Sequence, residues 1–186
     1  MIDKCRGLFS GYYASMTSYP LERRSDHAGR KRIAEMTPDE MRRELLTSQV
    51  TRLPNQRAFE EVQCMRPAAF VAVSDADGLK AFNDRFGYEA GDELLRAKAQ
   101  ILREVGVDAY HIHGDEFFYR GISEAGLRRD LEAARCLLRT RLIRSFIGAD
   151  FSYGIGRDIE AAETAQRRQK LEKDDTRRGE FRFQMA

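Results

Sequence analysis

His113-Gly114-Asp115-Glu116-Phe117 sits between Ala109-Tyr110-His111-Ile112 and Phe118-Tyr119-Arg120. The flanks are aromatic and apolar and the centre is a glycine followed by two acids, which predicts a β-hairpin with carboxylates at its tip. Two adjacent carboxylates repel, and holding both against a folded surface is costly unless cations or donated hydrogen bonds neutralise them. A solvated Gly-Asp turn would carry the same letters. What separates the two readings is whatever else the chain brings to that tip.

Upstream lies Phe70-Val71-Ala72-Val73-Ser74-Asp75-Ala76-Asp77-Gly78-Leu79-Lys80. A short apolar run ending in an acid predicts a buried strand that delivers Asp75 to the sheet's edge, where open α/β sheets bind ligands. If that strand lies beside the hairpin, Asp75, Asp115 and Glu116 converge with the Ala76 carbonyl into an oxygen-only cage suited to Mg²⁺ or Mn²⁺. Lys80 follows closely enough to face phosphate oxygens brought by such an ion.

Outward from these two stretches the chain resembles a known family. Thr51-Arg52-Leu53-Pro54-Asn55-Gln56-Arg57, Asp75-Ala76-Asp77 with Lys80, Asn83-Asp84, Phe86-Gly87, Gly91-Asp92 and the hairpin are similar, in order and spacing, to the GGDEF domain of diguanylate cyclases. The resemblance covers about residues 48 to 183. A lone Gly-Asp-Glu-Phe is a weak signal, whereas six ordered motifs are hard to obtain by chance. It implies an α+β fold, the ferredoxin-like palm of nucleotide cyclases, with a central antiparallel or mixed sheet surrounded by helices. The alternation of helices and strands around a hairpin independently predicts such a sheet with helices packed on one face. The expected organisation is an N-terminal extension over 1–47 and a GGDEF domain over 48–186.

The resemblance also implies a reaction: two GTP molecules, each held by one of two facing domains, condense into cyclic di-GMP with release of pyrophosphate. Asp75, the Ala76 carbonyl, Asp115 and Glu116 take the metal positions, with Asp115, Glu116 and Lys80 as the catalytic set. Gly78 and Leu79 bring backbone to the phosphates. Asn83 and Asp92 match the guanine readers, an amide and a carboxylate suited to guanine's donor and acceptor edge. Lys170 matches a late phosphate-binding lysine, with Arg177 or Arg178 beside it; Tyr88 and Gly114 complete the substrate side. Each has a plainer use: Asn83 as a turn cap, Asp92 as the N-cap of the next helix, Lys80 as a solvated lysine.

The pattern also departs from the family. His113 stands where glycine is usual, which puts a bulky side chain where phosphate or ribose passes. His111 stands where arginine is common and Tyr88 where histidine is. His111 and His113, two apart on a strand, would share a face. The Arg-x-x-Asp of the family's product-inhibition site is replaced by Glu104 and Val107, and Gln166-Arg167 stands for a usual Leu-Tyr pair. The rival expectation is therefore a catalytically degenerate GGDEF domain that holds GTP or a partner protein.

Composition narrows the rest. At 186 residues and 42% hydrophobic content the chain fits one domain with an extension. Lys and Arg number 32 against 30 Asp and Glu, so no nucleic-acid partner is expected from bulk charge. Cys5, Cys64 and Cys136 are widely spaced and read as reduced thiols of a cytoplasmic protein. No apolar run is long enough for a membrane span, and no membrane partner is expected. The partners expected are GTP and a second copy of the chain, with Mg²⁺ or Mn²⁺ as cofactor.

Along the chain, residues 1 to 36 read as irregular. Thr37-Pro38-Asp39-Glu40 predicts a helix start, running to about Thr47 with Met41, Leu45 and Leu46 inward. Further helices are predicted over 56–63, 79–86, 92–105, 127–143 and 159–173, a strand over 150–154, and a last edge strand over 181–183.

Overall fold

The computed structural model describes residues 31–141 and 149–184, with side chains of the final helix described to Lys173. Cys5 and most of the irregular N-terminal segment lie outside them. The chain divides after Leu45 into two units. In the first, a short 3-10 turn at Ile33–Glu35 precedes α1, Pro38–Leu45. Its start is the capping box written in the sequence: the Glu40 N–H donates to Thr37 Oγ1 at 3.3 Å, and the Thr37 N–H donates to Glu40 Oε2 at 2.8 Å. The helix stops two residues short of Thr47, which instead bridges to Pro54. Contrary to expectation α1 buries none of its residues and Leu45 is 58% exposed, whereas Leu46, just past the helix, is partly buried as expected.

The second unit runs α2 (Gln56–Met65), β1 (Phe70–Ala76), α3 (Leu79–Phe86), α4 (Tyr88–Val105), β2 (Asp108–His113), β3 (Glu116–Gly121), α5 (Glu124–Arg141), β4 (Phe151–Gly156) and α6 (Ile159–Gln184). The strands form one antiparallel sheet in the order β2-β3-β1-β4. β1 is thus an interior strand, and four successive residues of it, Val71 to Ser74, are buried. A strand buried on both faces needs cover on both. Helices accordingly pack on both faces, not one: Ala72, Phe117, Tyr119 and Phe151 join a core with α4 and α5, while Val71, Val73, Tyr110 and Phe118 pack with Phe59 of α2 and Ala162 of α6.

α6 lies close on β4 because Gly154 has no side chain: a Cβ there would meet the Ala162 carbonyl oxygen and the Gln166 backbone nitrogen at 2.1 Å. The same helix continues through 181–183, so the predicted last edge strand is instead helical. No proline interrupts the run from Ile159 to Gln184, so the helix continues where a new strand would have needed a break. α4 begins at Tyr88, four residues before the predicted start, with only Gly87, at φ +87°, between it and α3. Among the described residues no helix is long and apolar enough to cross a membrane, and Cys64 and Cys136 are free thiols.

Candidate functional site

The end of β1 and the tip of the β2–β3 hairpin meet at one end of the sheet. Asp75 is paired in register with Glu116 on one side and Ser152 on the other. Beyond it the Ala76 N–H donates to the Asp115 carbonyl at 3.3 Å, and the Asp77 N–H to the Asp150 carbonyl at 2.9 Å. Two segments forty residues apart in sequence therefore bring Asp75, the Ala76 backbone, Asp115 and Glu116 to a single edge. The turn at Gly114-Asp115 holds Gly114 at φ +51°, a conformation natural to glycine.

The edge is electrostatically loaded. Burial, and then the carboxylates of Asp75, Glu163 and Asp115, push the Glu116 carboxyl above its ordinary range; His113 pulls the other way, its Nδ1 lying 3.3 Å from Glu116 Oε2. Asp75 is half-buried and ion-paired with Lys170 of α6. Asp77, absent from the expected site, accepts the Ser152 hydroxyl at 2.8 Å and Lys173 Nζ at 2.8 Å. The donors present, carboxylates and a backbone carbonyl, suit a hard divalent cation, and crowded carboxylates are what such a charge relieves. Among the described residues no three His, Cys, Asp or Glu side chains are gathered closely enough to enclose an ion. A divalent ion at this edge would need further oxygens from outside the protein to complete its shell, as Mg²⁺ commonly does.

The residues expected on the nucleotide side lie on and around α3 and α4. Gly78, at φ +74°, precedes α3, Leu79 is buried and Lys80 in the first turn is exposed. Asn83 has a buried side-chain oxygen with no hydrogen-bond partner, an oddity because buried amides are normally satisfied. It packs against Gly91, where a Cβ would fall 1.8 Å from Asn83 Oδ1. Asp92 is inside α4, in its second turn, so it is not the helix's N-cap; its carboxylate lies 3.6 Å from Arg96. Tyr88 is 80% exposed at the start of α4. Arg177 and Arg178 lie where α6 side chains are outside the described residues.

The two histidines do not share a face. A register shift between them turns His113 outward, while His111 is buried. His111 stacks on Phe117, with ring centroids 4.7 Å apart. Its Nε2–H donates to the Gly114 carbonyl at 2.9 Å, and its Nδ1 lies 2.7 Å from Ser48 Oγ. Burial lowers its pKa, which favours the neutral ring. No transition-metal site exists among the described residues. Glu104, in the place of the product-inhibition arginine, pairs with Arg141; Gln166 is buried against the sheet, its amide nitrogen unpaired.

Sequence reasoning missed the supporting charges. Asp150, just before β4, pairs with Arg135 at 3.3 Å, Arg139 at 2.6 Å and Lys173 at 3.0 Å. Burial alone would raise its carboxyl, but Arg139, Lys173 and Arg135 outweigh that and hold it far below the usual carboxylate range. Lys98, read as one more position on an amphipathic helix, is wholly buried and donates to Ser74 Oγ at 2.9 Å. The only sequence signal was a lysine inside the apolar face Leu94, Leu95, Ala99, Leu102.

This sheet, with its carboxylate edge beside α3 and α4, has the palm fold of solved GGDEF domains. Residues 46–120 match the family "Diguanylate cyclase, GGDEF domain". Diguanylate cyclase VdcA of Vibrio cholerae is 34% identical over 84 residues, which cover 41% of this chain and 25% of that protein. The match therefore spans a quarter of that relative's length. The diguanylate cyclase SiaD of Pseudomonas aeruginosa, solved with its activator SiaC, has a TM-score of 0.58 at 21% identity, covering 71% of this chain and 60% of that one. The GGDEF domain of DgcB from Caulobacter crescentus, solved with c-di-GMP, has a TM-score of 0.53 at 24% identity, covering 72% and 91%. The two solved structures establish the fold. The family match makes residues 46–120 similar to the GGDEF domain.

Proposed function

We propose that the protein is a diguanylate cyclase: it condenses two GTP into cyclic di-GMP and releases pyrophosphate, working as a homodimer in which each chain holds one GTP. The observation that carries this reading is the registered meeting of Asp75 with Glu116 and of the Ala76 N–H with the Asp115 carbonyl. The ribose 3′ oxygen of one GTP attacks the α-phosphorus of the other, a new P–O bond forms, and the bond to the β-phosphate breaks. Asp75, the Ala76 carbonyl, Asp115 and Glu116 would hold Mg²⁺ or Mn²⁺, which when bound polarises phosphate oxygens and offsets the leaving charge.

The chain's own residues do the rest. Glu116, at the same edge, would take the hydroxyl proton. Lys80 and Lys170 neutralise phosphate charge, Lys170 exchanging Asp75 for the nucleotide, while the backbone of Gly78 and Leu79 lies against the phosphates. Asn83 and Asp92 take the guanine edge; Tyr88 and Gly114 flank the nucleotide. Asp39-bearing α1 and the residues before it belong to the extension over 1–47.

A second reading is favoured by a specific pair of contacts. His113 engages Glu116 and Lys170 engages Asp75, so both key acids are occupied from within. A GGDEF domain of this kind would bind GTP or a partner without turnover. Incubation of the full chain with GTP and Mg²⁺, followed by chromatography of the nucleotides, separates the two: cyclic di-GMP from the unaltered protein and none from Asp115→Ala supports the cyclase. Heat of GTP binding with no product supports the binding module.

A further inference from the structure

One charged group under the site is used by none of the chemistry above. Lys98 of α4 is 1% exposed, and the neighbours around it, Ser74 and Tyr119, are fully buried. Its Nζ donates to Ser74 Oγ and lies 3.9 Å from the centroid of Phe117 and 4.7 Å from that of Phe151. Ser74 Oγ is in turn 2.7 Å from Tyr119 Oη. Every one of these contacts is a neighbour of the carboxylate edge: Ser74 precedes Asp75, Phe117 follows Glu116, and Phe151 pairs with Ala76.

A lysine is expensive in such a place, and a methionine would fill the apolar face of α4 at no such cost. Its burial is balanced by charge at the edge. The groups that face it are Asp75 and Asp77 from β1 and its end, Asp115 from the hairpin, Lys170 from α6, and His111 from β2. The three acids favour its ammonium form and Lys170 opposes it. One hydroxyl and two ring faces are weak company for a cation; the acids across the sheet are its principal counter-ions.

We infer that Lys98 is a positioning residue, a resident counter-charge behind the carboxylate edge that opposes the divalent cation and so sets how tightly Asp75 and Asp115 hold it. This rests on the cyclase reading of the edge. In the empty site Lys98 offsets the mutual repulsion of the acids; when a cation enters, the two positive charges work against each other. Metal binding is thereby weak without the triphosphate and strengthened by its negative charge, which couples cation and nucleotide occupancy. Burial also pushes the Lys98 amine down to about 7, so the opposition fades as pH rises past that value.

The test is a Mn²⁺ titration of the full chain followed by electron paramagnetic resonance, without nucleotide, near pH 6 and again near pH 8.5. Lys98→Met is expected to bind Mn²⁺ about tenfold more tightly than the unaltered protein near pH 6, with the difference vanishing near pH 8.5. Asp75→Asn should abolish binding in either background. Equal affinity of the two proteins near pH 6 overturns the inference and leaves the cyclase reading standing. No Mn²⁺ binding by either protein, with or without GTP, overturns both. Should Lys98→Met not fold, the unaltered protein labelled with ¹³C at the lysine ε-carbon answers the same question: by reciprocity, saturating Mg²⁺ must move the Lys98 titration to lower pH. A titration that Mg²⁺ does not move overturns the inference.

Discussion

His111 Nε2 lies 2.9 Å from the Gly114 carbonyl oxygen, so a buried ring, itself pinned to Ser48, carries the turn that presents Asp115. Removing it as His111→Ala leaves a cavity against Phe117 and an unpaired carbonyl, a loss of about 2–4 kcal/mol. Because burial depresses the folded pKa of His111, the unfolded chain binds its proton first as pH falls. Its contribution is therefore full above about pH 6.5 and declines below it. Urea unfolding at several pH values checks both the size and the sign, and His111→Ala should flatten that part of the profile.

The Asn83–Gly91 packing predicts a selective lesion. A methyl group at Gly91 would fall on Asn83 Oδ1 and drive the amide from its place. Gly91→Ala should raise KM for GTP by roughly 10–100-fold, the cost of leaving a base edge unread, while Mn²⁺ binding to the carboxylate edge stays within about twofold of the unaltered protein. Steady-state kinetics and metal titration on one preparation decide it; equal losses in both would mean that the change acts on the fold.

His113 is 77% exposed in its side chain and touches Glu116. His113→Gly should free that carboxylate and clear the approach to the tip without unfolding the hairpin. Product formation from GTP is expected to rise several-fold, with an unchanged melting temperature. A fall in activity would mean that the histidine supports the site.

Asp150 binds α5 and α6 to the end of β4 through Arg135, Arg139 and Lys173. Removing the acid leaves Lys173 to Asp77, Arg135 to Glu132 and Arg139 to solvent, so Asp150→Asn should cost about 2–3 kcal/mol, less than a fully stranded buried pair. The sign is that of a depressed carboxylate: stability is present above the ordinary aspartate range near pH 3.9 and is lost as pH falls toward the depressed folded value. The acid limb of the unfolding profile should therefore shrink in Asp150→Asn.

Much of this architecture was written locally. Thr37-Pro38-Asp39-Glu40 caps a helix by contacts three residues apart, and the hairpin is set by two adjacent turn residues between apolar strands. The convergence of Asp75 on the hairpin was visible because the motif spacing resembles a family whose topology brings those segments together. What escaped is non-local. That Leu45 stays exposed, that 181–183 continues a helix, and that both faces of the sheet are covered depend on packing partners far along the chain. Lys98 and Asp150 looked like ordinary charges because a one-residue window cannot tell a solvated lysine from one enclosed by two aromatic rings.

The central claim, that Asp75 and the hairpin acids jointly seat a divalent cation against the phosphates of GTP, is tested most directly by anomalous diffraction from crystals grown with Mn²⁺ and a non-hydrolysable GTP analogue. The account predicts a peak about 2.0–2.3 Å from oxygens of both Asp75 and Asp115, with Lys170 moved from Asp75 to a phosphate. A nucleotide bound with no peak at that edge, and Lys170 still on Asp75, would contradict it.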